Sequence, residues 1–140
     1  MVFFGYTFCP DICPTSLADL RAALRRIGAD ASLVSVAFVT IDPERDTVDR
    51  LDVYLASYVG RYHVLRTLDE AELVTVQDAF LASSSVTTND AGQIEVSHTA
   101  TAFVVDSGGR VVDEMPFGIG ADGIENDLRI LLSTAQRGNT

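Results

Sequence analysis

Phe3-Phe4-Gly5-Tyr6-Thr7-Phe8-Cys9-Pro10-Asp11-Ile12-Cys13-Pro14 decides how the rest of the chain is read. An apolar strand runs into a cysteine, a second cysteine follows four positions later, and helical periodicity begins almost at once. The only two cysteines of the 140-residue chain both lie here. From Pro14 onward Leu17, Leu20, Ala23, Leu24 and Ile27 recur at helical spacing, with Arg21, Arg25 and Arg26 largely off that stripe. Pro14 suits the first helical position, where its missing N–H costs nothing. Gly28 marks the end. Cys13 then falls at or just before the helix N-terminus and Cys9 in the strand-to-helix turn. Unpaired N–H groups and the helix dipole favour negative charge there. Thiols in that field are expected to have a lowered pKa, and the spacing lets both sulfurs converge on one disulfide or one metal ion.

Working outward, Met1 to Tyr6 reads as a buried strand. Leu33 to Ile41, Leu-Val-Ser-Val-Ala-Phe-Val-Thr-Ile, is a second. Strand, helix and strand of these lengths predict a right-handed βαβ unit with parallel strands. Asp42-Pro43-Glu44-Arg45-Asp46-Thr47 follows as a polar loop at the C-terminal strand edge, where open α/β sheets build their sites. Asp46 or Thr47 is expected to cap a helix reaching about Tyr58. His63 to Arg66 reads as a short strand. Asp69 caps a helix from Glu70 to about Ala82, whose apolar face is Leu73, Val76, Phe80 and Leu81. Ser83 to Gly92 reads as a polar loop, and Glu95 to Val105 as one strand. The turn Asp106-Ser107-Gly108-Gly109 makes Thr101–Val105 and Arg110–Glu114 an antiparallel hairpin. A last amphipathic helix carries Ile124, Leu128, Leu131 and Leu132, and the chain is expected to fray from Arg137. The order βαβ, extra helices, then ββα is that of an α/β, thioredoxin-like fold: a central mixed β-sheet flanked by helices, in one domain spanning 1–140.

Composition narrows the function. The net charge of −10, with 20 acidic against 10 basic residues, argues against a nucleic-acid partner, which needs clustered cations. No apolar run approaches the roughly 20 residues that span a bilayer. No basic segment with a cleavage site marks a signal peptide. Two cysteines make no disulfide scaffold, so they read as redox or metal residues. An inert buried pair and a short structural clip are the bland alternatives. A five-residue clip constrains the unfolded chain little.

His98 is the next candidate. It sits just before the hairpin strand, in the segment that in a thioredoxin fold packs against the cysteine turn. Oxidoreductases of that fold carry a cis-proline there, and this chain has only Pro10, Pro14, Pro43 and Pro116. His98 in that neighbourhood points to two thiolates and one imidazole, a soft set suiting Cu(I), or Cu(II) with a fourth ligand. Zn²⁺ would want a fourth ligand or a water. His63, the other histidine, is read as structural. Asp11 reads equally as a turn former and as a residue tuning the thiols or meeting a partner. Asp42, Glu44, Arg45 and Asp46 read as loop formers and caps, and Tyr6 and Phe8 as packing.

The run from Phe3 to Pro14, the Asp42-Pro43-Glu44-Arg45-Asp46-Thr47 block, and Ser97-His98-Thr99-Ala100 leading into Phe103-Val104-Val105-Asp106 together resemble the SCO/SenC family of copper chaperones. The match is collinear over nearly the whole chain, loosest over Leu65–Gln93, a segment that is a candidate for partner contact. The resemblance implies copper, Cu(I) or Cu(II), held by Cys9, Cys13 and His98. It implies delivery of copper to the CuA centre of cytochrome c oxidase, or maintenance of that centre's cysteines in reduced form. The implied partners are the oxidase subunit carrying CuA and another copper chaperone as donor. The implied location is extracytoplasmic, periplasmic or on the outer face of the cytoplasmic membrane. Family members carry an N-terminal anchor or signal and a hairpin before the first strand seen here. Neither is in this sequence, so no membrane insertion is expected of this chain itself. The alternatives are a thiol–disulfide oxidoreductase using Cys9 and Cys13 as its redox pair, and a copper sensor. A peroxiredoxin-like peroxidase shares the fold and the Thr7-Phe8-Cys9 run but lacks the supporting Pro and Arg pattern.

Overall fold

The computed structural model describes the backbone of residues 1–138. Its centre is a five-stranded sheet in the order β3-β2-β1-β6-β7. β1 (Val2–Gly5), β2 (Val36–Thr40) and β3 (Tyr62–Leu65) are parallel. β6 (Thr101–Val105) runs antiparallel to β1, and β7 (Val111–Pro116) antiparallel to β6. The helices are α1 (Ile12–Ile27), α2 (Val48–Ala56), α3 (Glu70–Ala79) and α4 (Gly120–Gly138). This is the expected mixed sheet flanked by helices, in βαβ plus ββα order.

Strand alternation builds two apolar layers. Phe3 and Phe38 join Leu17 and Leu20 of α1, Leu51 and Leu55 of α2, and Ile124 and Leu128 of α4. Their neighbours in sequence, Phe4 and Val39, join Phe103 and Leu73 of α3, together with both cysteines. Successive side chains on a strand point to opposite faces, so near-continuous apolar strands are what a sheet covered on both faces requires. Among helices of the described residues, none is long and apolar enough to cross a membrane.

The structure corrects the sequence reading at several points. α1 begins at Ile12 rather than Pro14, so Cys13 lies inside its first turn. Pro14 is still in that turn, where its missing N–H breaks no helical bond. Gly28 ends the helix at φ 67, but a 3-10 turn over Gly28–Leu33 follows, and the second strand starts at Val36 with Leu33 exposed. Of the two caps expected for α2, Asp46 or Thr47, it is Thr47 that takes the role, accepting from the Arg50 N–H. Leu81 does not join the apolar face of α3: it is 92% exposed, with φ 53. The segment read as a loop over Ser83–Gly92 forms β4 (Ser84–Thr88), paired antiparallel with β5 (Ile94–His98) in a separate two-stranded sheet. The single strand expected over Glu95–Val105 breaks at Thr99-Ala100, its first half joining β4 and its second the central sheet. α4 continues to Gly138, past the expected fraying point, and Asn139 and Thr140 lie outside the described residues.

Candidate metal centre

Three segments far apart in sequence meet at the C-terminal end of β1. Cys9 is set by the strand-to-helix turn, its N–H donating to the Tyr6 carbonyl at 3.2 Å. Cys13 is the second residue of α1, and its backbone N–H donates to Cys9 Sγ at 3.4 Å. One of the first-turn donors that an α-helix leaves free is thus aimed at a sulfur.

His98 ends β5 opposite Ser84. The next residues are clamped from both sides. Thr99 N–H donates to the Ser83 carbonyl at 2.9 Å, Ser83 N–H donates to Thr99 Oγ1 at 3.0 Å, and Phe117 N–H donates to the Ala100 carbonyl at 2.8 Å. The β4–β5 hairpin therefore has a job the loop reading missed: it carries the histidine to the cysteines. His98 Nδ1 lies 3.0 Å from the Thr99 carbonyl. A carbonyl only accepts, so Nδ1 holds the ring proton and Nε2 presents its lone pair. Nε2 stands 3.7 Å from Cys13 Sγ. One ligating atom from each of Cys9, Cys13 and His98 lies within 4.8 Å of the others. No other group of three or more His, Cys, Asp or Glu side chains among the described residues comes together this way.

Both cysteines are free and buried. Burial pushes the Cys13 thiol up to about 12, opposed by a hydrogen bond from the Tyr6 backbone and reinforced by Cys9. The lowering expected from the helix N-terminus is overturned for Cys13. At 6% exposure the loss of water around a thiolate outweighs the helix field. A metal-free site of this kind keeps Cys13 protonated at neutral pH.

Some of the surrounding residues were read correctly and others were not. Tyr6 is buried, as expected of packing, but its ring also meets His98 edge-on at 5.9 Å. Burial, then the nearby sulfurs, raise its phenol above the ordinary value. Phe8 is no core residue. It is 45% exposed, with the Arg50 and Arg45 guanidiniums 3.9 and 4.8 Å from its ring centroid. Asp11 is exposed at the N-cap position, where its side chain takes no backbone N–H and accepts from Thr15 Oγ1 at 3.1 Å. His63 lies exposed on β3, outside the cluster.

Asp46 is where sequence reasoning fell short. It is fully buried and ties the Asp42–Thr47 loop to the cysteine turn. Its carboxylate accepts from Thr7 N–H at 3.0 Å, Thr7 Oγ1 at 2.5 Å and Thr40 Oγ1 at 2.7 Å. Arg50 Nε donates to the same Thr7 hydroxyl at 2.6 Å, and Arg45 pairs with the buried Asp42. The available signal was a pair of threonines, Thr7 and Thr40, standing at the ends of otherwise apolar strands. Gly5 is the other residue missed. A Cβ there would lie 2.9 Å from Cys13 Sγ and 2.9 Å from Phe38 Cζ, so only glycine lets the sulfur approach the strand.

Among solved structures, this chain is similar to Bradyrhizobium japonicum ScoI, solved with copper bound. It is 34% identical, with a TM-score of 0.78 over 92% of this chain and 82% of that one. The apo Sco1 protein of Thermus thermophilus, solved in solution, is also 34% identical, with a TM-score of 0.81 over 93% of this chain and 77% of that one. Among curated sequences, the mitochondrial SCO2 homolog of Danio rerio is 31% identical over 115 residues, 81% of this chain and 41% of its own length. An SCO2-like protein of Rickettsia prowazekii is 29% identical over 123 residues, 86% of this chain and 60% of its own. The chain thus spans about half the length of these curated relatives. The SCO1/SenC family model matches residues 1–133, nearly the whole of the described fold, and the chain belongs to that family.

Proposed function

We propose that this chain is a copper metallochaperone, binding one copper ion through Cys9 Sγ, Cys13 Sγ and His98 Nε2 and passing it to the CuA centre of cytochrome c oxidase. The observation that carries the reading is the convergence of those three atoms within 4.8 Å. Two thiolates and an imidazole with a bare Nε2 form a soft donor set matched to Cu(I). The Thr99 carbonyl fixes the ring orientation, as partners behind a metal-bound histidine ordinarily do. Copper is cargo here. Its binding displaces the thiol protons, and its release returns them. Copper-bound ScoI, similar over most of both chains, supports the reading. By the same resemblance we place the activity outside the cytoplasm, with the oxidase subunit bearing CuA as recipient.

The second reading is a thiol–disulfide oxidoreductase acting on a partner's cysteines. The closeness of the two sulfurs, both free and within 4.8 Å of one another, favours it, because neighbouring thiols can close into a disulfide. Such exchange would transfer two electrons to the partner's disulfide, and the Cys9–Cys13 bond formed would remove the copper ligands.

The deciding experiment is a Cu(I) titration of the fully reduced protein against a competing chelator, with Cys9→Ser and His98→Ala alongside. Tight one-to-one binding weakened by both substitutions is expected. Binding no tighter than that of a generic dithiol would refute the chaperone reading.

A further inference from the structure

The end of the molecule remote from the cysteines carries a second candidate site. A cleft of about 380 Å³ opens between the last half of α1, the 3-10 turn over Gly28–Leu33 and the connection from α2 to β3. Arg21, Arg25 and Arg61 line it over an apolar floor that includes Leu24, Val34 and Val59. Its volume is in the range of small-ligand pockets.

The charge is out of keeping with the rest of the protein. The chain has no lysine, and acids outnumber its ten arginines two to one. Even so, three arginines face this cleft and no Asp or Glu does. Elsewhere Arg26, Arg45, Arg110 and Arg129 each pair with a carboxylate, while Arg50 and Arg66 brace loops through the Thr7 hydroxyl and the Pro43 and Asp46 carbonyls. Here Arg21 and Arg61 reach only the backbone carbonyls of Ser57 and Ser32. Arg25 makes no hydrogen bond or ion pair among the described residues. Three guanidiniums left without counter-charges over a low-dielectric floor repel one another and focus a positive potential into the cleft. A guanidinium fork fits the oxygens of a phosphate, and the floor offers apolar area just behind it.

We propose that this cleft binds an anionic amphiphile: a phosphate group held by Arg21, Arg25 and Arg61, carried on a short apolar stem lying on Leu24, Val34 and Val59. Arg25 is twelve residues beyond Cys13 on the same helix, about 18 Å along its axis. The site is therefore separate from the metal centre, and its occupancy stands or falls apart from the copper reading.

The test uses the reduced, metal-free full chain, following the backbone amide NMR signals of Ser32, Gly60 and Arg61. Dihexanoyl phosphatidic acid, kept below its micelle concentration, is titrated beside inorganic phosphate. Saturable shifts are expected with the lipid, at least about tenfold tighter than with inorganic phosphate, since apolar burial adds to the ionic contacts. Arg25→Gln should weaken lipid binding by about tenfold or more, the scale of one lost charge-assisted contact. Arg21→Gln should do likewise, and Arg110→Gln, on the β6–β7 turn, should change it less than twofold. Thermal unfolding confirms that each variant is folded. Shifts that never saturate, equal weakening by Arg110→Gln, or lipid and inorganic phosphate binding alike would each overturn the proposal.

Discussion

Gly5→Ala tests how closely the cysteine turn is built against the sheet. The new methyl carbon would lie 2.9 Å from Cys13 Sγ, 2.9 Å from Phe38 Cζ and 3.2 Å from Phe38 Cε2. Non-bonded carbon contacts settle near 3.5–4.0 Å, so a relief of roughly 0.6–1 Å is needed. Phe38 cannot supply it, being 1% exposed within the layer of Leu17, Leu51 and Leu55. The displacement therefore falls on Cys13 and the first turn of α1. Overpacking of this kind costs about 1–3 kcal/mol. That is a sizeable part of the roughly 5–15 kcal/mol that holds a domain together. The same movement shifts Cys13 Sγ relative to His98 Nε2, now 3.7 Å away. Metal sites tolerate only about ±0.2 Å in their ligand distances, so Cu(I) affinity should fall at least tenfold.

Urea unfolding gives the first quantity and chelator competition for Cu(I) the second. Val36→Ala separates them: Val36 is fully buried at the other end of the sheet, so its truncation should lower stability and leave copper affinity in place. A Gly5→Ala protein within about twofold of wild type in affinity and as stable would refute both the crowding and the placement of Cys13 in the site.

Asp46→Ala removes an acceptor from Thr7 N–H and from two hydroxyls. At about 1–3 kcal/mol for each buried donor stranded, with the hydroxyls free to turn, a loss of roughly 2–5 kcal/mol is expected, read by urea unfolding. A loss under about 1 kcal/mol would mean the loop does not brace the cysteine turn. Copper affinity should rise with pH, since Cys13 keeps its proton until about pH 12 and must lose it to bind. The Cys13 proton alone gives about a tenfold gain per pH unit between pH 6 and 8, and pH-independent competition titrations would rule out thiolate ligation by Cys13. The sign for folding is opposite. The fold favours the protonated thiol, so that contribution is complete below the ordinary thiol pKa and is lost as pH climbs towards 12. Leu81→Gly should stabilise the protein by about 1 kcal/mol, because Leu81 is exposed at φ 53 and its side chain gives up almost no burial. An unchanged urea midpoint would count against strain at that residue.

The central sheet was legible because its strands carry their own evidence. Phe3-Phe4 and the Val36–Thr40 core of the Leu33–Ile41 run read as covered strands, and a glycine turn separates β6 from β7. The β4–β5 hairpin was not legible for the opposite reason. Ser84, Ser85, Thr87 and Thr88 bury little, so polarity predicted a loop, while cross-strand pairing with Ile94–His98 decides the outcome. Of the candidate site, the sequence singled out Cys9 and Cys13 by spacing and His98 by its place before the hairpin strand, and the fold brings the three together. Asp46 looked like a cap because the neighbouring Thr47 takes that role and the true partners, Thr7 and Thr40, lie 39 and 6 residues away. Phe8 was read simply as packing, and nothing in a sequence reports that its packing partners are the guanidiniums of Arg45 and Arg50 at the surface.

The burial that raises the Cys13 thiol also bears on which chemistry the site favours. A nucleophilic pair needs a thiolate near neutral pH, and Cys13, protonated far above it, is a poor attacking group. If disulfide exchange occurs at all, Cys9 must attack and Cys13 resolve, although Cys9 too is only 9% exposed. A soft cation must displace the same proton but compensates for it. It brings the charge that burial denies to the bare thiolates, and it finds His98 Nε2 already turned towards Cys13, with Nδ1 held by the Thr99 carbonyl. The same dry surroundings thus hold back thiol attack while leaving metal capture open, with the displaced protons as the cost. On the proposed chaperone reading that asymmetry is useful, because the protonated Cys13 is slow to attack a disulfide while the same sulfur stays available to a metal ion.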